Sequence, residues 1–320
     1  MLNAGMIGLG AWGRKLVESV QGRSAEIRIV AGCTRTASRA ASFAAAHGIT
    51  LHPGVAELVA DPAVEAVIST GPAGLHAEHT LAAIEAGKPV LAVKPLALSG
   101  SDAARLAAAA ERRQVLLALG YNRYFYPNAA ELRRRVRAGE VGELLHAEGD
   151  FCTDRFHTLP PDHWALEDAH LLAGALADHP LYSMIELLGR VRSVDARAGS
   201  RGTGRAIIDT TAVLLRFESG VSGLLTAAGA TAPYERLTYF GSLGWVETRG
   251  RTLSYRYRSG EEETAALPEL DAERAQLECF AAAVRGRATF PVPVEDAVHG
   301  VAVLEAIDRS ARTDRPIEPS

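Results

Sequence analysis

The chain has 320 residues, 48% of them hydrophobic and 22% charged, with a formal net charge of −4 at pH 7. That is apolar material enough for a large core divided between two domains, and it argues against a nucleic-acid partner, since the one basic run, Arg133-Arg134-Arg135, reads as the solvated side of a helix. No stretch is long and apolar enough to span a bilayer, no basic leader precedes the first strand, and Cys33, Cys152 and Cys279 are too scattered for a disulfide framework or a Cys-pair metal site, so a cytoplasmic protein with no membrane partner and no metal is expected.

The first strand runs apolar into Gly8-Leu9-Gly10-Ala11-Trp12-Gly13, followed by Leu16, Val17 and Val20 at helical spacing. A strand that turns through Gly-x-Gly-x-x-Gly into a helix brings helix N-terminal amides to a pyrophosphate. In that motif the first glycine makes the turn, the second admits the phosphates and the third lets helix and strand pack closely. Gly8, Leu9, Gly10, Ala11, Trp12 and Gly13 are therefore candidate cofactor contacts. Taken alone the motif is weak, because Gly-rich turns also occur in unrelated α/β proteins.

The second strand, Ile27 to Cys33, ends without the acidic residue that would hold a ribose 2′-hydroxyl, and no Asp or Glu lies between Glu26 and Glu57. Thr34, Arg35, Ser38 and Arg39 stand there instead. Two guanidiniums and two hydroxyls suit a 2′-phosphate, so NADP(H) is read as the preferred cofactor, with NAD(H) as the alternative. The bland reading is that both arginines merely decorate an exposed helix start.

Helical and strand segments then alternate: helices over 38–47, 55–60, 77–86 and 102–113, and strands over 66–70, 89–93 and 115–119. Repeated βα units of this length imply a doubly wound parallel sheet, a dinucleotide-binding domain over 1–120. From Tyr121 the pattern changes. A helix over 128–138 leads to a strand over 144–150, and short alternating segments such as 209–217, 221–227 and 236–240 read as an open antiparallel sheet. Helices over 271–285 and 294–309 close a second, α+β domain over 121–320, with the last helix free to pack back on the first domain.

The chain carries only three lysines, Lys15, Lys88 and Lys94, against thirty-one arginines. Each lysine then invites a reason, since an amine can lose its proton in an apolar pocket and a guanidinium cannot.

By Lys94 the order of features resembles the glucose-fructose oxidoreductase / inositol dehydrogenase (Gfo/Idh/MocA) family. Thr70-Gly71-Pro72-Ala73-Gly74-Leu75-His76 is similar to that family's Thr-Pro-Asn-x-x-His, and Gly87-Lys88-Pro89-Val90-Leu91-Ala92-Val93-Lys94-Pro95 to its Gly-Lys-x-Val-x-x-Glu-Lys-Pro. Gly120-Tyr121-Asn122-Arg123, Gly139-Glu140-Val141-Gly142 and the ending Arg309 to Thr313 follow in the family's order. The resemblance implies an NAD(P)-dependent oxidoreductase acting on a sugar, cyclitol or nucleotide-sugar. It adds Thr70, Gly71, Pro72, His76, Lys94 and Pro95 to the cofactor site, and Tyr121, Arg123 and Trp164 to the substrate side. An uncovered apolar sheet tends to be buried against a partner, so a homodimer or homotetramer formed through the open sheet face is expected.

The departures are as specific. Val93 replaces the family's Glu, Ala73 its Asn, and Ala165 the Arg after Trp164. The motif Gly-Gly-x-Leu-x-Asp-x-x-x-His fits in two registers. Counting from Trp164 gives Asp178 and Tyr182, and Gly174 and Leu176 then match. Counting back from Leu187-Leu188-Gly189 gives Ala175 and His179. The first register is preferred, since glucose-fructose oxidoreductase carries Tyr at the last position, so Lys94, Asp178 and Tyr182, with His179 as rival acid, form the expected catalytic set. By single-residue reasoning His179 is as readily a helix-start residue beside Pro180, and Tyr182 a core tyrosine. His76-Ala77-Glu78-His79 lacks a third metal ligand at useful spacing. Two other functions remain open: a binding or regulatory protein that kept this fold without turnover, and a C=N reductase.

Overall fold

The computed structural model describes residues 1–160, 176–205 and 207–320. The chain divides into two compact units, one of Met1–Phe125 with Asp271–Val298 and the other of Tyr126–Leu270 with His299–Ser320. The segment Asp271–Val298, assigned from sequence to the second domain, thus belongs to the first unit.

In chain order the first unit contains β1 (Leu2–Ile7), α1 (Ala11–Val20), β2 (Ile27–Cys33), α2 (Ala37–His47), β3 (Thr50–Leu51), α3 (Val55–Ala60), β4 (Ala66–Ser69), α4 (His76–Glu85), β5 (Val90–Val93), α5 (Gly100–Arg113) and β6 (Leu117–Gly120). The strands form one parallel sheet in the order β3-β2-β1-β4-β5-β6. Every residue of β4, β5 and β6 is buried, as strands covered on both faces by helices must be. The strand order reverses beside β1, between β1 and β4, and a doubly wound sheet opens its ligand crevice at such a point, beyond the strands' carboxyl ends.

The second unit contains α6 (Pro127–Arg137), β7 (Leu144–Cys152), α7 (Arg155–Thr158), α8 (Asp178–Leu188) and the strands β8 (Val191–Gly199), β9 (Thr210–Phe217), β10 (Ser222–Ala228), β11 (Tyr234–Gly241), β12 (Gly244–Arg249), β13 (Thr252–Tyr257) and β14 (Glu262–Ala266). The helix α9 (Ala272–Val284) that follows belongs to the first unit, and α10 (Val294–Thr313) begins there and continues in the second. The sheet order is β14-β13-β12-β11-β7-β10-β9-β8. It is mixed rather than purely antiparallel, because β10 lies parallel to β7 from Ser222 opposite His146 to Ala228 opposite Cys152. The chain leaves β7, reaches the sheet edge at β8 and returns through the antiparallel strands β9 and β10, so β10 arrives running the same way as β7.

Burial alternates strictly along β9, with Thr211, Val213, Leu215 and Phe217 inward. The inward face joins Leu181, Met184 and Ile185 of α8 and Val303 and Ile307 of α10 in one core. Gly149 of β7 sets the depth of α8: a β-carbon there would lie 2.5 Å from Pro180 and 3.0 Å from Met184. Its missing side chain lets the first turn of α8 sit directly on the sheet.

Candidate functional site

The glycine loop has the expected form, and each glycine has its own reason. Gly8 takes a φ of 95°, open to glycine at little cost. A β-carbon on Gly13 would lie 2.1 Å from the Gly8 carbonyl oxygen, whereas one on Gly10 would meet nothing within 4 Å. Gly13 therefore serves helix–strand packing, and Gly10 faces open space. The α1 helix starts beside it with no side-chain cap and no acidic residue in its first turn, so its leading amides suit an anion. This cradle fits a dinucleotide pyrophosphate. Leu9 is buried, Ala11 exposed and Trp12 half-buried.

Thr70 supports the loop from behind, its hydroxyl 2.7 Å from the Gly8 carbonyl and 3.0 Å from that of Ile7. The Gly8 amide donates to the Cys33 carbonyl at 2.9 Å, bringing the end of β2 to the loop. Beyond it Thr34 is half-buried, and Arg35, Ser38 and Arg39 are exposed at the start of α2, which has no acidic residue in its first turn.

Lys94 follows β5 and is half-buried, between Val93, 8% exposed, and Pro95, which is buried and joined to Lys94 by a cis peptide bond. Where the family has Glu, this chain packs an apolar side chain into the sheet. Gly71 and Pro72 are half-buried at the end of β4. His76 does not present a free ring. It is 2% exposed, with Nδ1 2.6 Å from the Pro95 carbonyl oxygen and Nε2 2.8 Å from that of Gly71. Burial lowers its pKa more than the two carbonyls raise it, which leaves the imidazole neutral near pH 7. His76 thus packs between the loop after β4 and the loop carrying Lys94, and as a neutral ring it donates its one N–H to one of the two carbonyls.

Two groups not singled out by the sequence pattern also brace this unit. The Arg14 guanidinium donates to the carbonyls of Leu9 and Arg39. Glu273 of α9, nearly buried, accepts from Lys15 Nζ at 2.7 Å and from Asn122 at 3.1 Å, while the Lys15 ammonium lies 5.0 Å from the centre of the Trp12 ring. Burial pushes the Glu273 carboxyl up, but these bonds outweigh it and the group titrates below its usual range. Lys scarcity was the available signal for Lys15; its partner lies 258 residues away. Tyr121 is buried after β6, and Arg123 is half-buried in the short 3-10 turn Asn122–Phe125.

In the second unit the two candidate acids differ in burial. Tyr182 is a core residue, 4% exposed, with its ring filling the space where a Gly300 side chain would stand. Burial, with the Asp178 charge adding to it, raises its phenol far above the ordinary value. Asp178 is itself fully buried, on the same side of α8, one turn earlier. His179 points elsewhere: it is half-buried and stacked on Phe151, with ring centres 4.5 Å apart and planes at 26°. Trp164, with Ala165, Gly174 and Ala175, lies outside the described residues.

Fold and cradle together define a dinucleotide-binding protein of two-unit design. Residues 2–121 match the model of an oxidoreductase family with an NAD-binding Rossmann fold, and residues 129–247 match the GFO/IDH/MocA C-terminal domain. A 1,5-anhydro-D-fructose reductase from Ensifer adhaerens is 30% identical over 98% of this chain and 97% of its own length. Inositol 2-dehydrogenase 1 of Saccharopolyspora erythraea is 28% identical, over 99% and 96%. Among solved structures, levoglucosan dehydrogenase in complex with NADH and L-sorbose aligns at a TM-score of 0.89 with 20% identity, covering 100% of this chain and 99% of that one. An NAD-binding oxidoreductase from Klebsiella pneumoniae aligns at 0.88 with 23% identity, over 100% and 99%. The chain belongs to the GFO/IDH/MocA family of NAD(P)-dependent sugar and cyclitol oxidoreductases. No described helix is long and apolar enough to cross a membrane.

Proposed function

We propose that this enzyme prefers NADP(H) and moves a hydride between the nicotinamide and a carbinol or carbonyl carbon of a polyol, cyclitol, sugar or nucleotide-sugar. The observation that carries the cofactor preference is the end of β2, where Arg35 and Arg39 are exposed and no carboxylate occurs between Glu26 and Glu57. A 2′-phosphate is favoured there, because β2 is not followed by the carboxylate that would bind a bare 2′-hydroxyl. The substrate class rests on the relatives, whose names specify inositol and anhydrofructose.

The nicotinamide supplies or accepts the hydride. The protein's part is to hold the substrate oxygen and to move one proton. Lys94, half-buried between apolar neighbours, is the cation we assign to stabilise charge developing on that oxygen, where a low dielectric strengthens the interaction. For the proton we assign His179 rather than Tyr182, because a general acid must reach its substrate and a ring sunk in the core does not.

Fluorescence titration tests the preference, with NADPH expected to bind at least about tenfold more tightly than NADH, a gap of ~1.4 kcal/mol; equal affinities would sink it. Turnover is read as NADPH consumption over a panel of ketoses, inososes, nucleotide-ketosugars and imines. Consumption confined to imines would make the enzyme a C=N reductase, and none on any compound would replace turnover with a binding or regulatory role.

A further inference from the structure

We infer that Arg14 is a positioning residue that sets the preference for a 2′-phosphorylated cofactor, an inference that rests on the NADP reading above. Arg14 follows Gly13 on α1. Its Nε donates to the Leu9 carbonyl at 3.1 Å and its Nη2 to the Arg39 carbonyl at 2.7 Å, and its guanidinium carbon lies 5.0 Å from the centre of the Phe43 ring. One side chain therefore spans the glycine loop, through Leu9, and the first turns of α2, through Arg39 and Phe43. The loop cradles the pyrophosphate, and the α2 turn carries the side chains that would meet the 2′-phosphate.

The bonds Arg14 makes are to neutral carbonyls, so its charge is not consumed. Among the described residues no carboxylate forms an ion pair with Arg14, Arg35 or Arg39, and the segment between Glu26 and Glu57 contains none. Three guanidiniums with no counter-ion of their own leave this edge strongly favourable to a dianion. Of the three, Arg35 and Arg39 are exposed, and an exposed arginine gives up much rotamer freedom when it clamps a ligand. Arg14 is already held at two carbonyls and a ring face. It fixes the backbone of Arg39 against the cofactor loop, and three of its five N–H groups remain uncommitted among the described residues.

A brace of purely structural value would hold the glycine loop for either cofactor. The positioning role predicts an asymmetric effect. Calorimetric titration of Arg14→Gln and Arg14→Lys with 2′,5′-ADP and 5′-AMP isolates the 2′-phosphate without nicotinamide, and NADPH and NADH titrations extend it to the whole cofactor. Arg14→Gln should weaken 2′,5′-ADP and NADPH at least tenfold while 5′-AMP and NADH change less than twofold. Arg14→Lys, which keeps the charge and loses the two-point brace, should fall between. Equal losses for both ligands of a pair would overturn the inference and leave Arg14 a structural strut, as would an unchanged 2′,5′-ADP affinity. Equal affinities of the unaltered enzyme for NADPH and NADH would overturn the NADP reading itself and this inference with it.

Discussion

The imidazole of His179 lies against the ring of Phe151, with centroids 4.5 Å apart, while Tyr182, less than one turn further along α8, is sealed in the core against Gly300. Neighbouring positions on one helix thus have opposite fates. His179→Gln should lower kcat on a working substrate on the order of a hundredfold with little change in cofactor affinity, as expected for a lost general acid. Tyr182→Phe should leave kcat within about twofold. Steady-state kinetics on the two variants decide it, and a large loss in Tyr182→Phe with none in His179→Gln would restore the tyrosine.

His76 offers a second test, because its two ring nitrogens face the carbonyls of Gly71 and Pro95. His76→Leu removes the ring's one N–H and leaves the carbonyl that accepts it without this partner, which should cost on the order of 1–3 kcal/mol of stability. It also releases the Lys94-Pro95 loop from the end of β4, so hydride transfer should slow at least tenfold. His76→Gln, which can still donate to one carbonyl, should recover part of both. Thermal melts and single-turnover rates check the pair, and a variant that is destabilised yet transfers hydride at the normal rate would show the latch to be structural only.

Much of the first unit was legible because its strands are buried on both faces and its turns are marked by glycine. α3 begins and ends where the pattern puts it, Val55–Ala60. α5 begins two residues before the expected Asp102 because the Ser99 hydroxyl accepts from the Asp102 amide and starts the helix at Gly100. Long-range facts were not legible. Periodicity places a strand at Ser222–Ala228 but cannot say that it runs parallel to β7. It puts Asp178 and Tyr182 on one face of a helix without telling that α8 is buried nearly all round, with Pro180 and Met184 against Gly149 of β7 and Tyr182 on the other side against Gly300. Lys88 was one of three lysines that invited a chemical reason, and its ammonium binds the carbonyls of Asp61 and Val64 instead.

The outer face of the second unit's sheet yields a prediction about assembly. Leu214 and Leu224 are paired across β9 and β10, and both are exposed, at 38% and 45%. We take this face as the site where a second copy packs, since an apolar pair left in water gains by being covered. Leu224→Glu should then shift the protein from dimer or tetramer toward monomer in light scattering, with the melting temperature of the monomer nearly unchanged. A monomeric unaltered protein at micromolar concentration would rule the interface out.

The pH dependence of stability should carry the signature of His299. Its Nε2 accepts the Val191 amide at 2.8 Å, which fixes the proton on Nδ1, and the ring is almost wholly buried. Burial, helped by the nearby Arg190 charge, lowers its pKa to about 4 from the ordinary imidazole value of 6.5. Protonating Nε2 would remove the acceptor from the Val191 amide and place a charge in the core of the unit. Between these two values the unfolded chain binds the proton and the folded chain does not, so stability rises with pH across the window. The contribution is fully present above about pH 6.5 and is lost as the pH falls toward 4, reaching on the order of 2–3 kcal/mol. His299→Gln retains an acceptor for the Val191 amide but cannot take up a proton in this range. Its stability should therefore fall less between pH 7 and pH 4.5 than that of the unaltered protein, by at least about 1 kcal/mol in urea melts. Parallel pH profiles for the two proteins would show that His299 is not the titrating group.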